Sequence, residues 1–156
     1  MSSVSSRLLV IDASVVRAAG ETIHPVSSAC REYLLAIRRI CHRVGMTEKI
    51  REEWDRHMSR FTRKWRRSMA ARRKPDVRLT PANIHLNISE FSAHAQATIE
   101  KDRHLLEAAS AADNVIVTLD ESFKKALAET PSGTSLLNSV RWFNPVKDGV
   151  KGLESL

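Results

Sequence analysis

Long apolar runs are the first thing missing from this chain. None of its 156 residues belongs to a stretch near the roughly 18–20 apolar residues that a bilayer crossing takes, so a membrane-spanning helix is excluded and no membrane partner is expected. Cysteine is nearly absent as well. Cys30 and Cys41 form no CxxC pair and no Cys/His cluster, and they read as two small hydrophobes in a reducing compartment. His24, His42, His57, His85, His94 and His104 are scattered singly, without zinc spacing; hard cations on oxygen ligands suit the chain better. The Met1–Arg7 segment is polar and leads straight into an apolar run, unlike a secretory signal, so the cytoplasm is the expected location. No internal repeat is visible.

What is present is an ordinary globular balance, 42% hydrophobic and 28% charged. The length suits one domain able to bury roughly two-thirds of its unfolded surface. We expect that domain over residues 1–146, with a flexible tail over 147–156. The 25 Lys and Arg outnumber the 18 Asp and Glu, which gives a net charge of +7 and favours a polyanionic partner.

Strand and helix patterns alternate along the chain. Arg7 to Ile11 is a continuous apolar strand of the kind covered on both faces of a parallel sheet. Helical spacing of Val26, Ala29, Cys30, Tyr33, Leu34, Ile37, Ile40 and Cys41 predicts a helix over about 25–43, capped at Ser27 or Ser28 or starting earlier at Pro25. A short strand over Arg43–Met46 follows. Thr47 then offers an N-cap for one long helix to Ala71, closed before Pro75. Residues 76–89 are the least readable, a loop with a short helix after Pro81. One long or two abutting helices are expected over 89–112, then a strand over 115–119, a helix over 121–129, a loop over 130–134 and a last strand over 140–143. The pattern predicts a three-layer α/β/α sandwich with a mainly parallel central sheet, Rossmann-like in outline.

Acids fall at the ends of these elements. Val10-Ile11-Asp12-Ala13-Ser14 is a strand ending in aspartate with a small polar residue two positions on. Glu53-Trp54 is a helical acid followed by an aromatic. Asp102-Arg103-His104-Leu105-Leu106-Glu107-Ala108-Ala109 is a helical acid before an alanine-rich apolar turn, and Thr118-Leu119-Asp120-Glu121-Ser122-Phe123 ends a strand with Thr-x-Asp-x-x-Phe. Taken singly, each acid has a plainer reading. Asp12 and Asp120 suit strand-end turns, Asp102 an exposed helical charge, and Glu53, like its rival Glu52, an ion pair with Lys49 or Arg56.

Taken together, these four motifs, spread over about Arg7 to Val146, resemble the PIN domain, a family of metal-dependent nucleases that includes the VapC-type toxin ribonucleases. The basic middle of the chain is longer than in compact toxin members. The resemblance implies a PIN-like fold with Asp12, Glu53, Asp102 and Asp120 as catalytic and metal-binding residues, and products carrying a 5′-phosphate and a 3′-hydroxyl. Such a set needs a cation: two unit charges 4 Å apart repel by about 4 kcal/mol at an effective dielectric of about 20. Mg²⁺ or Mn²⁺ removes that repulsion and brings waters that can be activated. Ser14 and Thr118 read as groups that hydrogen-bond the carboxylates rather than as metal ligands.

The second unusual stretch runs from Arg56 to Lys74, with nine Lys or Arg and no acid. Arg60, Arg63, Lys64, Arg66, Arg67 and Arg73 are candidate phosphate contacts. Trp54, Met58, Phe61, Trp65 and Met69 form an apolar stripe through the same helix, read as core packing, with Phe61 and Trp65 open to an alternative use as a dimer or partner surface. The leading expectation is a Mg²⁺- or Mn²⁺-dependent endoribonuclease acting on single-stranded or loop RNA, with a toxin paired with an antitoxin as the narrower form and a homodimer as a further partner. The alternative is a PIN-fold module that binds RNA or protein with little or no catalysis. A phosphoacceptor receiver domain lacks support, since no acidic pair stands before the first helix and no lysine stands directly after the last strand.

Overall fold

A computed structural model describes residues 6–156, so most of the polar Met1–Arg7 segment lies outside the described residues. Five parallel strands run in the order β3-β2-β1-β4-β5: β1 (Leu8–Ile11), β2 (Arg43–Met46), β3 (Val77–Arg78), β4 (Val115–Val117) and β5 (Arg141–Phe143). β1 and β4 are fully apolar and almost wholly covered, which a strand flanked by helices on both faces requires. α1 (Ala13–Ala18) and α2 (Pro25–Ile40) connect β1 to β2, and α3 (Glu48–His57) and α4 (Arg60–Ala71) connect β2 to β3. α5 (Ala93–Ser110) returns the chain to β4, and α6 (Ser122–Leu127) with α7 (Pro131–Asn138) leads to β5.

Right-handed crossovers place α2 and α4 on one face and α5, α6 and α7 on the other, which is the expected three-layer α/β/α sandwich. From β1 the chain winds toward β2 and β3; from β4 it winds the other way. The crevice beyond the carboxyl ends of β1 and β4 is therefore the topological switch point, where open α/β sheets bind their ligands.

Besides α1 and β3, which the sequence pattern did not reveal, the structure departs from the sequence reading in four places. The expected single helix to Ala71 is broken at Met58 and Ser59. Both are extended, and the Ser59 hydroxyl accepts from the Thr62 amide at 3.1 Å as a new N-cap. α1 fixes the break, because the Ser59 amide and the Thr62 hydroxyl both donate to the Val16 carbonyl, at 3.0 and 2.7 Å.

The short helix expected after Pro81 is absent. That stretch is extended, and a single 3₁₀ turn forms over Ile88–Glu90. The loop expected at Thr130 is instead the start of α7: the Thr130 hydroxyl accepts from the Gly133 amide, and Pro131 occupies the first helical position. Gly133 is required there, since a Cβ would collide with the Leu127 carbonyl.

The expected flexible tail forms α8 (Pro145–Asp148) and α9 (Lys151–Glu154), and Leu153 is fully buried. A buried histidine clasps it. His42 Nδ1 accepts from the Arg7 amide at 3.0 Å, and Nε2 donates to the Leu153 carbonyl at 2.9 Å. One ring thus joins the start of β1 to the end of the chain. His42→Phe keeps the volume and removes both bonds, so stability to urea should fall by about 1–3 kcal/mol. An unchanged unfolding midpoint would show that apolar packing alone holds the tail.

Candidate functional site

β1 delivers Asp12 to the switch point. Its amide donates to the Val117 carbonyl at 2.8 Å, and its own carbonyl starts α1. The side chain takes no part in capping the helix. Instead Oδ2 accepts from the Ser14 hydroxyl at 2.7 Å and from the Thr118 hydroxyl at 2.9 Å. Ser14 Oγ also accepts from the Leu119 amide, and Thr118 Oγ1 from the Asp120 amide. Ser14 and Thr118 therefore lace the ends of β1 and β4 together through one carboxylate.

Asp120 follows β4, and its Oδ1 accepts from the amide and hydroxyl of Ser122, at 2.8 and 2.5 Å. One oxygen of this acid is thus committed to starting α6. Asp102 comes from α5 and is only 9% exposed; among the described residues its carboxylate accepts no hydrogen bond. Burial, then the negative charges of Asp12 and Asp120, push its carboxyl up to about 6, with Lys101 and His104 opposing.

Glu53 arrives on α3 because Trp54, the next residue, is fully buried and its indole N–H donates to the Ile11 carbonyl at 2.9 Å. Glu53 Oε2 lies 3.3 Å from His104 Nε2. His104 Nδ1 meets the Lys101 carbonyl at 3.0 Å, so it carries a proton there; Nε2 completes a bond to Glu53 only if that pair also shares a proton, and at the observed alignment it makes none.

All four acids line one open cleft of about 280 Å³ at this edge of the sheet. Glu52 is exposed and lies outside it, which separates it from Glu53. As the side chains stand, no group of three or more His, Cys, Asp or Glu among the described residues is gathered closely enough to hold one metal ion. The acids share a cleft, and Asp102 feels the charge of Asp12 and Asp120, without a closed cage.

Three cations that the sequence did not mark as site residues line the same cleft: Arg17 of α1, Arg56 of α3 and Lys101 of α5, with His57 beside them. Arg56 carried a signal, since it lies one helical turn from Glu53 on the same face. Of the cations that were expected, Arg60, Arg63, Lys64, Arg67 and Arg73 are exposed, as phosphate contacts need to be. Lys64 stands 3.9 Å from Glu21.

Arg66 is a correction. Its guanidinium donates to Asp76 at 2.7 Å and to Asp55 at 3.0 Å and lies over the Trp54 ring, so it braces the fold instead of facing a ligand. The Phe61 and Trp65 partner surface also fails. Trp65 is 3% exposed with its indole N–H on the Leu34 carbonyl, and Phe61 packs against the core. Compared with protein-family models, curated proteins and solved structures, the chain matches none of them.

Because the folded chain holds the Asp102 proton more tightly than the unfolded one, ionising it subtracts from stability. That loss grows as pH rises from 3.8 toward about 6 and is complete above. Asp102→Asn should therefore stabilise the metal-free protein at neutral pH by up to about 3 kcal/mol, and the gain should vanish below pH ~4. Urea melts at the two pH values measure it. A variant no more stable than the parent at neutral pH would mean that no charge conflict exists.

Proposed function

We propose that this protein is a divalent-cation-dependent endoribonuclease, hydrolysing phosphodiester bonds of single-stranded or loop RNA at the acidic cleft. The observation that carries this reading is convergence. Asp12, Glu53, Asp102 and Asp120 come from four separate elements and line one cleft at the switch point of a parallel sheet, with Asp102 buried there without a hydrogen bond. A fold has no reason to gather like charges at a cost unless an opposite charge joins them. The donor set is all oxygen, which suits Mg²⁺ or Mn²⁺ rather than a softer metal. Asp12, Asp102 and Asp120 would hold the ion, with Glu53 added when it turns from His104. Bound there, the ion supplies Lewis-acid stabilisation of phosphoryl oxygens and a more acidic water.

The chain's own residues do the rest. Ser14 and Thr118 fix Asp12 Oδ2 in one orientation, leaving its other oxygen open. Arg17, Arg56 and Lys101 stand at the cleft to neutralise the scissile and neighbouring phosphates. Arg60, Arg63, Lys64 and Arg67 are exposed on α4 and Arg73 just beyond its end, away from the acids, where they would hold the flanking strand without reading its sequence. The resemblance of the four motifs to PIN-domain nucleases points the same way. The narrower form, a toxin with an antitoxin partner, rests on that resemblance alone. A second reading, a module that holds RNA or protein without cleaving, is favoured by one observation: the acids do not close around a single ion as they stand.

Asp12→Asn keeps the shape of the side chain and removes its charge. It should reduce Mg²⁺- or Mn²⁺-dependent cleavage of a labelled single-stranded RNA by about 100-fold or more. Cleavage that survives both the substitution and a chelator would sink the nuclease mechanism. A parent protein that binds RNA and never cuts it supports the second reading.

For the basic helix, replacing Arg63, Lys64 and Arg67 with neutral residues should weaken binding about equally for all sequences. The slope of log affinity against log salt should flatten by about 0.7 for each phosphate that the variant no longer neutralises. An unchanged slope would reduce the helix to a solubilising surface.

A further inference from the structure

A second hollow, also of about 280 Å³, adjoins the acidic cleft and is walled by Thr47, Glu48, Lys49, Pro81, His104 and Glu107. His104 forms the partition, lining this hollow while its Nε2 faces Glu53 of the cleft at 3.3 Å. Pro81 belongs to an extended strap that is pinned rather than loose. The Leu79 amide donates to the Met46 carbonyl at 2.8 Å, the Ala82 amide to the Glu107 carbonyl at 3.0 Å, and Arg103 Nη2 to the Ile84 carbonyl at 3.0 Å. Its surface is formed by Pro81 and by the carbon stems of polar side chains, with carboxylates at Glu48 and Glu107 and an ammonium at Lys49. Glu107 is the more enclosed of the two and lies 4.0 Å from the anchored Arg103.

We propose that this hollow receives one unpaired base of the RNA and that Glu107 selects guanine. The inference rests on the RNA-cleaving reading of the adjoining cleft. A strand drawn across the acids by its phosphates must seat its bases beside them, and unstacked bases settle on ring or apolar faces. Pro81 supplies such a face here, with the edge of the buried His104 ring behind it. The volume falls below the roughly 300–1,000 Å³ of sites for drug-sized ligands, so it suits a single ring system.

Charge complementarity picks the base. An ionised carboxylate only accepts hydrogen bonds. Guanine alone presents two adjacent donors, N1–H and the 2-amino group, to match its two oxygens. Adenine and cytosine set a donor beside an acceptor, and uracil sets one donor between two acceptors.

The test is binding with Ca²⁺ loading the acids, so that the strand is drawn across the cleft, and it needs no cleavage. Fluorescence anisotropy would compare an all-uridine labelled oligonucleotide with three others carrying guanine, inosine or adenine at one position. The parent protein should prefer guanine over adenine by roughly tenfold, as a two-bond carboxylate–base contact implies, and lose most of that preference with inosine, which lacks the amino group. E107Q should bind the guanine, inosine and adenine oligonucleotides alike. Equal binding of guanine and adenine by the parent protein, or a guanine preference that survives E107Q, overturns the proposal. The inosine comparison uses the unaltered protein and so stands whether or not the variant folds. A Glu107-dependent preference in a protein that cuts nothing would sustain this inference and remove the nuclease. Cleavage that depends on Asp12 without any base preference would remove this inference alone.

Discussion

The bond from the Trp54 indole N–H to the Ile11 carbonyl is the contact on which the site depends. Ile11 closes β1, and the next residue is Asp12. Trp54 is fully buried, and the preceding residue is Glu53. One hydrogen bond thus sets the separation of two acids that lie 41 positions apart in the chain. Its strength comes from what surrounds it. Burying an indole removes about 150–250 Å² from water, about 4–6 kcal/mol at 25 cal/mol per Å² before entropy is charged. The Arg66 guanidinium over the ring, held by Asp55 and Asp76, ties α4 and the approach to β3 to the same point. Arg66 is therefore spent on holding α3, which explains why this cation of the basic helix is turned inward.

Against that anchor works the repulsion of the acids it gathers. Asp102 is nine-tenths buried, accepts no hydrogen bond among the described residues, and has two carboxylates raising its affinity for a proton. A structure optimised for stability alone would place an apolar residue or a partnered polar one there. The strain is confined to one corner, since Ser14 and Thr118 satisfy Asp12 and Ser122 satisfies part of Asp120. The site holds its less encumbered acids firmly and leaves the most deeply buried one without a partner.

Much of this was legible in the sequence, and what was not failed for identifiable reasons. β1 and β4 announce themselves as apolar runs, and Asp12 and Asp120 are readable because each run stops at an acid. Glu53 could be preferred to Glu52 from the aromatic after it, and the buried indole gives that signal its physical meaning. The break at Ser59 was hidden because its cause is tertiary: α1 supplies the Val16 carbonyl to which Ser59 and Thr62 both donate. Residues 76–89 looked unreadable although Ile84, Leu86 and Ile88 alternate with polar neighbours and pack against the core. That is strand periodicity in a strap whose backbone bonds reach β2 and α5 at single points rather than along a ladder. Arg66 shows the reverse failure, since nothing in a run of cations reveals which one two distant aspartates have claimed.

The charges at the cleft explain why acids and cations share it. A phosphodiester strand is repelled by bare carboxylates, yet carboxylates are what a divalent cation needs. Four acids face three permanent cations, Arg17, Arg56 and Lys101, so the cleft alone carries a small negative excess. That excess is smaller than the charge of one divalent ion, and so a single bound ion reverses its sign. On the proposed reading the metal-free cleft repels the strand and the loaded cleft attracts it, which couples substrate capture to metal occupancy. The cations of α4 lie away from the acids and keep their pull in either state. They would hold RNA nearby while the cleft decides whether a phosphate enters.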